Sequence, residues 1–489
     1  MAGVEDPRSR LTVPVVGRAV GPLVFVILMI SPVGGLSPDG ARLLAVVLWM
    51  AVWWMTEAAP LAVTAMLPLV MFPLLGVRGV GDVAPNYADD MIFLFLGGFV
   101  LALAVERSKL HRRLALAVLD TIGASPRRLV WGFLIATALL SMWLSNTATA
   151  LMMLPIAAGV AARLDSAKAP ARIMLAVAYG ASIGGIGTLV GTPPNLVLAG
   201  MAPNLVPGLE ALSFGRWMLF GVPFVLLFLP LVGLQLSRGL PAGARRDAGL
   251  AAERAALGPM TAVERRVAVL FAVTAAAWVT RSGLDFGAVT IPGWSALLAN
   301  WGVIPEAKMI SDAVPAVTAA ILTTLLPSGE GSGRRMLSWN EIESGVPWGV
   351  LLLFGGGFAI ADGVRATGVD SWLAGRLQDL SVLPLPLLIL CVCLITTFAT
   401  ELTSNTATAT LLMPVMAALA SVLDVHPYLL MVPATVSASC AFMLPVATPP
   451  NAIVIGSRWV SAGDFFREGI WLNLVGAVVT TVAVLTLGR

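Results

Sequence analysis

The chain has 489 residues, 58% hydrophobic and only 12% charged, with 48 Gly, 33 Pro and a formal net charge of +3, and its mean hydropathy is +0.90. Soluble domains carry roughly 25% charged residues, so an ordinary soluble protein is excluded; disorder and a collagen-like repeat fall with it, because apolar surface is ample and glycine has no period of three. What remains is an all-α polytopic membrane protein, in which the placement of Lys and Arg among loops says more than the net charge.

Met1 to Arg18 is short, mixed in charge and without a small-residue cleavage site, so the first apolar run is expected to stay as a helix. Apolar runs follow at about 19–34, 41–56, 60–76, 90–106, 128–162, 172–203, 212–236, 264–281, 311–327, 346–362, 383–420, 427–457 and 466–487. Runs 128–162 and 383–420 exceed the roughly 20 residues of one spanning helix, and each has a polar cluster at its middle, so both read as re-entrant helical hairpins. The other eleven read as transmembrane helices. With a cytoplasmic N-terminus, 22 of the 30 Lys plus Arg fall on inside segments, among them Arg8, Arg10, Arg107 to Arg172 and Arg238 to Arg266, leaving Arg489 with the outside set. That bias supports the layout.

A Gly-, Ala- and Arg-rich linker at 237–263 divides the chain, and a repeat lies across it. FLGGF at Phe95 to Phe99 matches FGGGF at Phe354 to Phe358, SNTATA at Ser145 matches SNTATA at Ser404, and MLPIA around Pro155 matches LMPVM around Pro414, all at an offset of 259. GTPPN at Gly191 matches ATPPN at Ala447 at an offset of 256. Five spans separate corresponding units, so the second copy is expected upside down relative to the first. Inverted repeats of this kind typify secondary transporters, with the binding site at the repeat interface.

Ser145-Asn146-Thr147 and Ser404-Asn405-Thr406 stand where each hairpin turns. Oxygens freed there from helical pairing suit a hard cation, and the helix that follows begins with unpaired N–H groups that attract an anion. Ser141 and Thr400, four residues before each tip, share its helix face. The plainer alternative is that the tips only cap the second helices, Ser and Asn being good N-caps. Thr192-Pro193-Pro194-Asn195 and Thr448-Pro449-Pro450-Asn451 must break runs 172–203 and 427–457, because proline lacks an N–H and clashes with the preceding turn; a bare kink is the alternative there. Cys391, Cys393 and Cys440 lie in apolar runs and read as core residues. Glu57, Glu401 and Asp120 are read as structural, and His111 and His426 as membrane-edge residues. No HExxH, paired histidines or Gly-x-Ser-x-Gly elbow is present, so no enzyme is expected.

The twinned SNT and [GA]TPPN motifs, TELTSNTAT at Thr400 to Thr408, and WWMTEAAPLAVTAMLP from Trp53 to Pro68 together resemble the divalent anion to sodium symporter family, over residues 41–487. The resemblance implies a homodimer in the plasma (inner) membrane, in contact with lipid and not nucleic acid, whose mobile part moves as an elevator against a scaffold. It implies one sodium ion among Ser141, Ser145, Asn146 and the Gly191 backbone, a second among Thr400, Ser404, Asn405 and the Ala447 backbone, and no other cofactor. A small dianion such as succinate, malate or fumarate would meet Asn146, Thr147, Asn405 and Thr406, with Thr192, Pro193, Thr448 and Pro449 completing the wall. Sulfate, a tricarboxylate, or dicarboxylate exchange is the alternative. The expected division is scaffold helices over 1–85, a first repeat over 86–236, the cytoplasmic linker 237–263, further scaffold helices over 264–345 and a second repeat over 346–489.

Overall fold

The computed structural model describes residues 13–164, 166–242, 249–285, 290–329, 331 and 333–487. Arg8, Arg10, the linker's Arg245 and Arg246, and Arg489, all used in the expected charge layout, lie outside the described residues. The fold is helical, apart from two short strands, β1 (Leu284–Asp285) and β2 (Thr290–Ile291), paired antiparallel with Leu284 opposite Ile291.

The N-terminal helices are α1 (Val13–Ile30), α2 (Pro38–Thr56), α3 (Leu61–Thr64), α4 (Leu67–Leu74) and α5 (Val80–Val83). Ser37 starts α2 by accepting from the Gly40 N–H at 3.0 Å, with Pro38 at the first helical position, where its missing donor costs nothing. The span expected over 60–76 is instead two short helices parted at Ala65 and Met66. Pro68 opens α4 and supplies no N–H to bridge the gap, which explains the interruption.

Seven helices then run from α6 (Asp90–Arg107) through α7 (Leu110–Ile122), α8 (Pro126–Ser141), α9 (Asn146–Ala161), α10 (Ala169–Gly185) and α11 (Pro193–Leu205) to α12 (Phe214–Leu236). After α13 (Leu250–Ala256), α14 (Ala262–Thr280), α15 (Trp294–Asn300), α16 (Ala313–Leu325) and α17 (Trp339–Gly345), seven more follow with breaks at corresponding places. These are α18 (Trp348–Thr367), α19 (Val369–Leu377), α20 (Leu385–Thr400), α21 (Asn405–Val422), α22 (Tyr428–Ala438), α23 (Pro449–Ile455) and α24 (Ala462–Leu487). FLGGF lies on α6 and FGGGF on α18.

The two sets interlock. Helix α11 of the first packs on α18 and α21 of the second, and α23 of the second packs on α9 and α10 of the first. Glycines let backbones touch where helices cross: a Cβ on Gly97 of α6 would stand 2.4 Å from the Ala316 carbonyl of α16, and one on Gly184 of α10 2.2 Å from the Ala138 carbonyl of α8. Among the described residues, six helices are long and apolar enough to cross a membrane, or up to seven if α19 to α20, bent by 119°, counts as one. Breaks and hairpin turns shorten most of the others, whereas α2 and α14, of 19 residues each, carry charged residues in their first turns.

At one end of α14 and α16, Asp312 is fully buried and ion-paired with Arg281. The pair is fully bonded: Arg281 Nη1 donates to the Ile310 carbonyl at 2.8 Å, and Asp312 Oδ2 accepts from the Phe214 N–H at 2.8 Å, so α12, α14 and α16 meet on one carboxylate. Removing one partner of a buried pair strands the other charge at a cost of about 3–5 kcal/mol. Asp312→Ala is therefore expected to lower the unfolding free energy of detergent-solubilised protein by that amount, read by thermal or denaturant unfolding, whereas Asp39→Ala, whose Arg42 partner is solvent-exposed, should cost less than about 1 kcal/mol.

Candidate functional site

Four interruptions of helix build the site. Hairpin one turns between Ser141 and Asn146, and hairpin two between Thr400 and Asn405. Ser145 caps α9, its Oγ accepting from the Ala148 N–H at 3.2 Å. Ser404, extended at φ −62 and ψ 129, makes no such cap on α21, so the capping alternative describes the first tip and not the second. The paired prolines start α11 and α23 as first-turn residues, with Thr192 and Thr448 extended at the N-cap. Thr448 Oγ1 accepts from the Asn451 N–H at 3.3 Å.

Each break exposes carbonyls that lack helical donors, and one buried asparagine serves each set. Asn195 Nδ2 donates to the Gly185 carbonyl at 3.1 Å and to the Thr188 carbonyl at 2.7 Å. Asn451 Nδ2 does the same for Ala441 at 3.2 Å and Leu444 at 3.0 Å. Trp217 Nε1 adds a 2.9 Å bond to the Ile186 carbonyl, and Thr188 donates to the Met142 carbonyl of hairpin one. The second break carries a further brace: the Glu401 carboxylate, almost fully buried, accepts from the Met443 and Leu444 N–H groups at 2.8 Å each and from Asn473 Nδ2 at 2.7 Å. Asn195, Asn451 and Asn473 were not among the expected site residues. The Asn of TPPN was visible as a motif, but its role depends on carbonyls that only the broken helix frees.

One cavity of about 1200 Å³ joins the four interruptions. Ser145, Asn146 and Thr147 line it from hairpin one, Ser404, Asn405 and Thr406 from hairpin two, and Gly191, Thr192, Pro193, Ala447, Thr448 and Pro449 from the two breaks. Phe95 and Phe99 give it an apolar side, and Glu57 and Glu106, both exposed, stand on its wall. No Lys or Arg lines it. The N-termini of α9, α21 and α11 all open on this space; those of α9 and α21 carry the partial positive charge of unpaired N–H groups, whereas Pro193 and Pro194 leave α11 without donors at its first two positions.

Ser141 and Thr400 stand behind the wall, fully buried. Ser141 Oγ is 2.8 Å from Asn146 Oδ1 and 2.7 Å from the Ala181 carbonyl, while the Asn146 side-chain oxygen is also 3.0 Å from the Ala181 carbonyl and 3.2 Å from that of Gly191. Four oxygens thus gather around one hydroxyl proton. Two arrangements relieve that excess of acceptors: a cation among them, or an amide turned so that its NH₂ faces them. The pattern recurs in the second set, where Thr400 Oγ1 is 2.7 Å from Asn405 Oδ1 and 2.9 Å from the Ala438 carbonyl. Among the described residues no three His, Cys, Asp or Glu side chains come together, so the oxygens offered to a cation here are neutral.

The remaining polar residues lie away from this chemistry. Asp120 pairs with Arg254 at the surface. His111 Nδ1 is 3.2 Å from the Val105 carbonyl, and burial lowers the ring's pKa, keeping it neutral. His426 packs beside Tyr428, and Cys393 and Cys440 are buried. Because Asn195 donates to the buried Gly185 and Thr188 carbonyls freed by the break, Asn195→Ala should destabilise the protein by about 1–3 kcal/mol. The same range applies to Asn451→Ala; unfolding in detergent checks both.

The sequence matches the family model described as the sodium:sulfate symporter transmembrane region over residues 16–489. The sodium-dependent dicarboxylate transporter SdcS of Staphylococcus saprophyticus is 38% identical, over 98% of this chain and 92% of its own. The protein of the same name from Staphylococcus aureus strain USA300 is 38% identical over 96% of this chain and 90% of its own. In fold alone, the chain is like the crystal structure of the Alcanivorax borkumensis YdaH transporter, described as having an unusual topology, with a TM-score of 0.53 at 16% identity over 83% of this chain and 88% of that one. A family pattern that runs through all but the first fifteen residues places the chain as a member of the sodium:sulfate symporter family of membrane transport proteins.

Proposed function

We propose that this protein is a secondary transporter that couples sodium to the movement of a small dianion, a C4-dicarboxylate such as succinate, malate or fumarate. The observation that carries the reading is the pair of neutral hydroxyl and amide clusters, Ser141 with Asn146 and Thr400 with Asn405, set behind one cavity that both hairpin tips and both helix breaks line. The relatives at 38% identity are named as sodium-dependent dicarboxylate transporters, which favours dicarboxylate over the sulfate of the family description.

Electrostatics ties the two ligands together. A dianion in a cavity without Lys or Arg is balanced only by helix ends and by cations at its wall. Cations in the two clusters in turn gain an anionic neighbour when the dianion enters. Each therefore raises the affinity of the other by the same factor. Asn146 and Asn405 are the coupling residues in this reading, since each amide faces both its oxygen cluster and the cavity. In this reading the two hairpins enter from opposite faces, and alternating access is an elevator movement of α8–α12 with α20–α24 against the remaining helices of a homodimer in the plasma membrane, with the N-terminus cytoplasmic.

Purified protein in proteoliposomes should accumulate labelled succinate under an inward sodium gradient and not under a proton gradient in choline buffer; equal uptake under the proton gradient would refute the coupling. Asn146→Ala and Asn405→Ala should each weaken sodium and succinate binding together, and a change in succinate affinity alone would remove the shared-ligand role. With Thr147→Cys and Thr406→Cys, succinate plus sodium should slow thiol labelling at both positions, because both line the one cavity.

A further inference from the structure

In the first repeat the two ends of the helix break touch backbone to backbone. A Cβ on Gly191 would lie 2.4 Å from the Gly185 carbonyl oxygen and 2.9 Å from its Cα, distances no side chain tolerates. A Cβ on Gly185 would lie 2.5 Å from Asn146 Oδ1 and 3.0 Å from the Gly191 carbonyl oxygen, so it would occupy space among the oxygens of the first cluster. Gly185 contributes no ligand side chain. What it contributes is the absence of one.

The second repeat identifies its counterpart by bonding. Asn195 donates to the carbonyls ten and seven residues before it, at Gly185 and Thr188, and Asn451 donates to the carbonyls at the same spacings, at Ala441 and Leu444. Ala441 and Ala447 thus stand where the first repeat has Gly185 and Gly191, and Ala441 is fully buried. A methyl group stands at each place where the first break is bare backbone, so the two oxygen clusters cannot close alike.

We propose that Gly185 and Ala441 set unequal cation affinities in the two clusters: Gly185 makes the first the tighter sodium site, and the Ala441 methyl makes the second the weaker one, which then governs the sodium concentration the transporter needs. This rests on the sodium-coupled reading above. A wall that crowds ligand oxygens lowers affinity without removing a ligand, an outer-shell effect that typically amounts to 10- to 100-fold.

The test uses the purified full-length chain, with sodium as the probe. Two readouts apply: the sodium-dependent rise in melting temperature without substrate, which reports binding to the folded state, and the sodium dependence of succinate uptake in proteoliposomes. Gly185→Ala should raise the sodium concentration of the tighter phase of the melting-temperature titration by about tenfold or more, while the uptake requirement, set by the second cluster, moves less. Ala441→Gly, which removes a methyl and introduces no clash, should lower it several-fold, and it decides the matter alone if Gly185→Ala does not fold. An unchanged or raised sodium requirement in Ala441→Gly overturns the proposal, as does an unchanged melting-temperature titration in folded Gly185→Ala. If the wild-type protein responds to sodium while the variants match it, only the inequality of the clusters fails. A wild-type protein indifferent to sodium in both readouts overturns this proposal and the coupled reading together.

Discussion

A backbone that leaves the helix inside a waterless interior must find new partners for every N–H and C=O it frees, and this protein does so four times around one cavity. The partners are few and economical. One asparagine amide reaches two carbonyls at each break, a tryptophan N–H takes a further one, and a carboxylate gathers two N–H groups and an amide. Without these bonds the freed groups would cost several kcal/mol each in hydrocarbon. The freed carbonyls at the breaks thus find donors, and neutral oxygens gather around Ser141 and Thr400 behind the cavity wall.

Interlocking of the two repeats gives that cavity its form. Helix α11 lies against hairpin two and α23 against hairpin one, so neither repeat builds a complete wall from its own residues. Tyr179 of α10 donates to the Phe442 carbonyl in the second break at 3.0 Å, a bond that ties one repeat's broken helix to the other's interruption. A change at either break is thereby felt on both sides of the cavity. Linkage between ligands at the two clusters would need a shared structural element of this sort, and the crossed packing supplies one.

Much of this was legible in the chain because prolines and polar tips are local signals. Pro193-Pro194 and Pro449-Pro450 can stand only in the first turn of a helix, and they begin α11 and α23. The SNT clusters sit at the starts of α9 and α21, and both tips reach the same cavity. What could not be read depends on partners distant in sequence. Glu401 and Asn473 lie 72 residues apart, and no pattern in either neighbourhood reports that they meet. The interruption at Ala65 and Met66 was hidden because the run 60–76 is apolar on both sides of it, and hydropathy is blind to a bend. The difference between a capping Ser145 and a non-capping Ser404 was hidden for the opposite reason: the two motifs are identical for six residues, and only backbone dihedrals separate them.

That last difference has a stereochemical consequence. At the first tip the serine hydroxyl already accepts a hydrogen bond from the Ala148 N–H, whereas at the second it makes no cap and keeps its lone pairs uncommitted. The two ends of the cavity therefore offer unequal hydrogen-bonding environments despite identical residues. A ligand stretched between them has two orientations of different energy whenever its own ends differ, and a symmetric ligand loses its symmetry on binding. Mirror-image forms of a hydroxylated dianion would present their extra hydroxyl to different tips, so the unequal tips would tell enantiomers apart through neutral groups, with no Lys or Arg among the described lining residues.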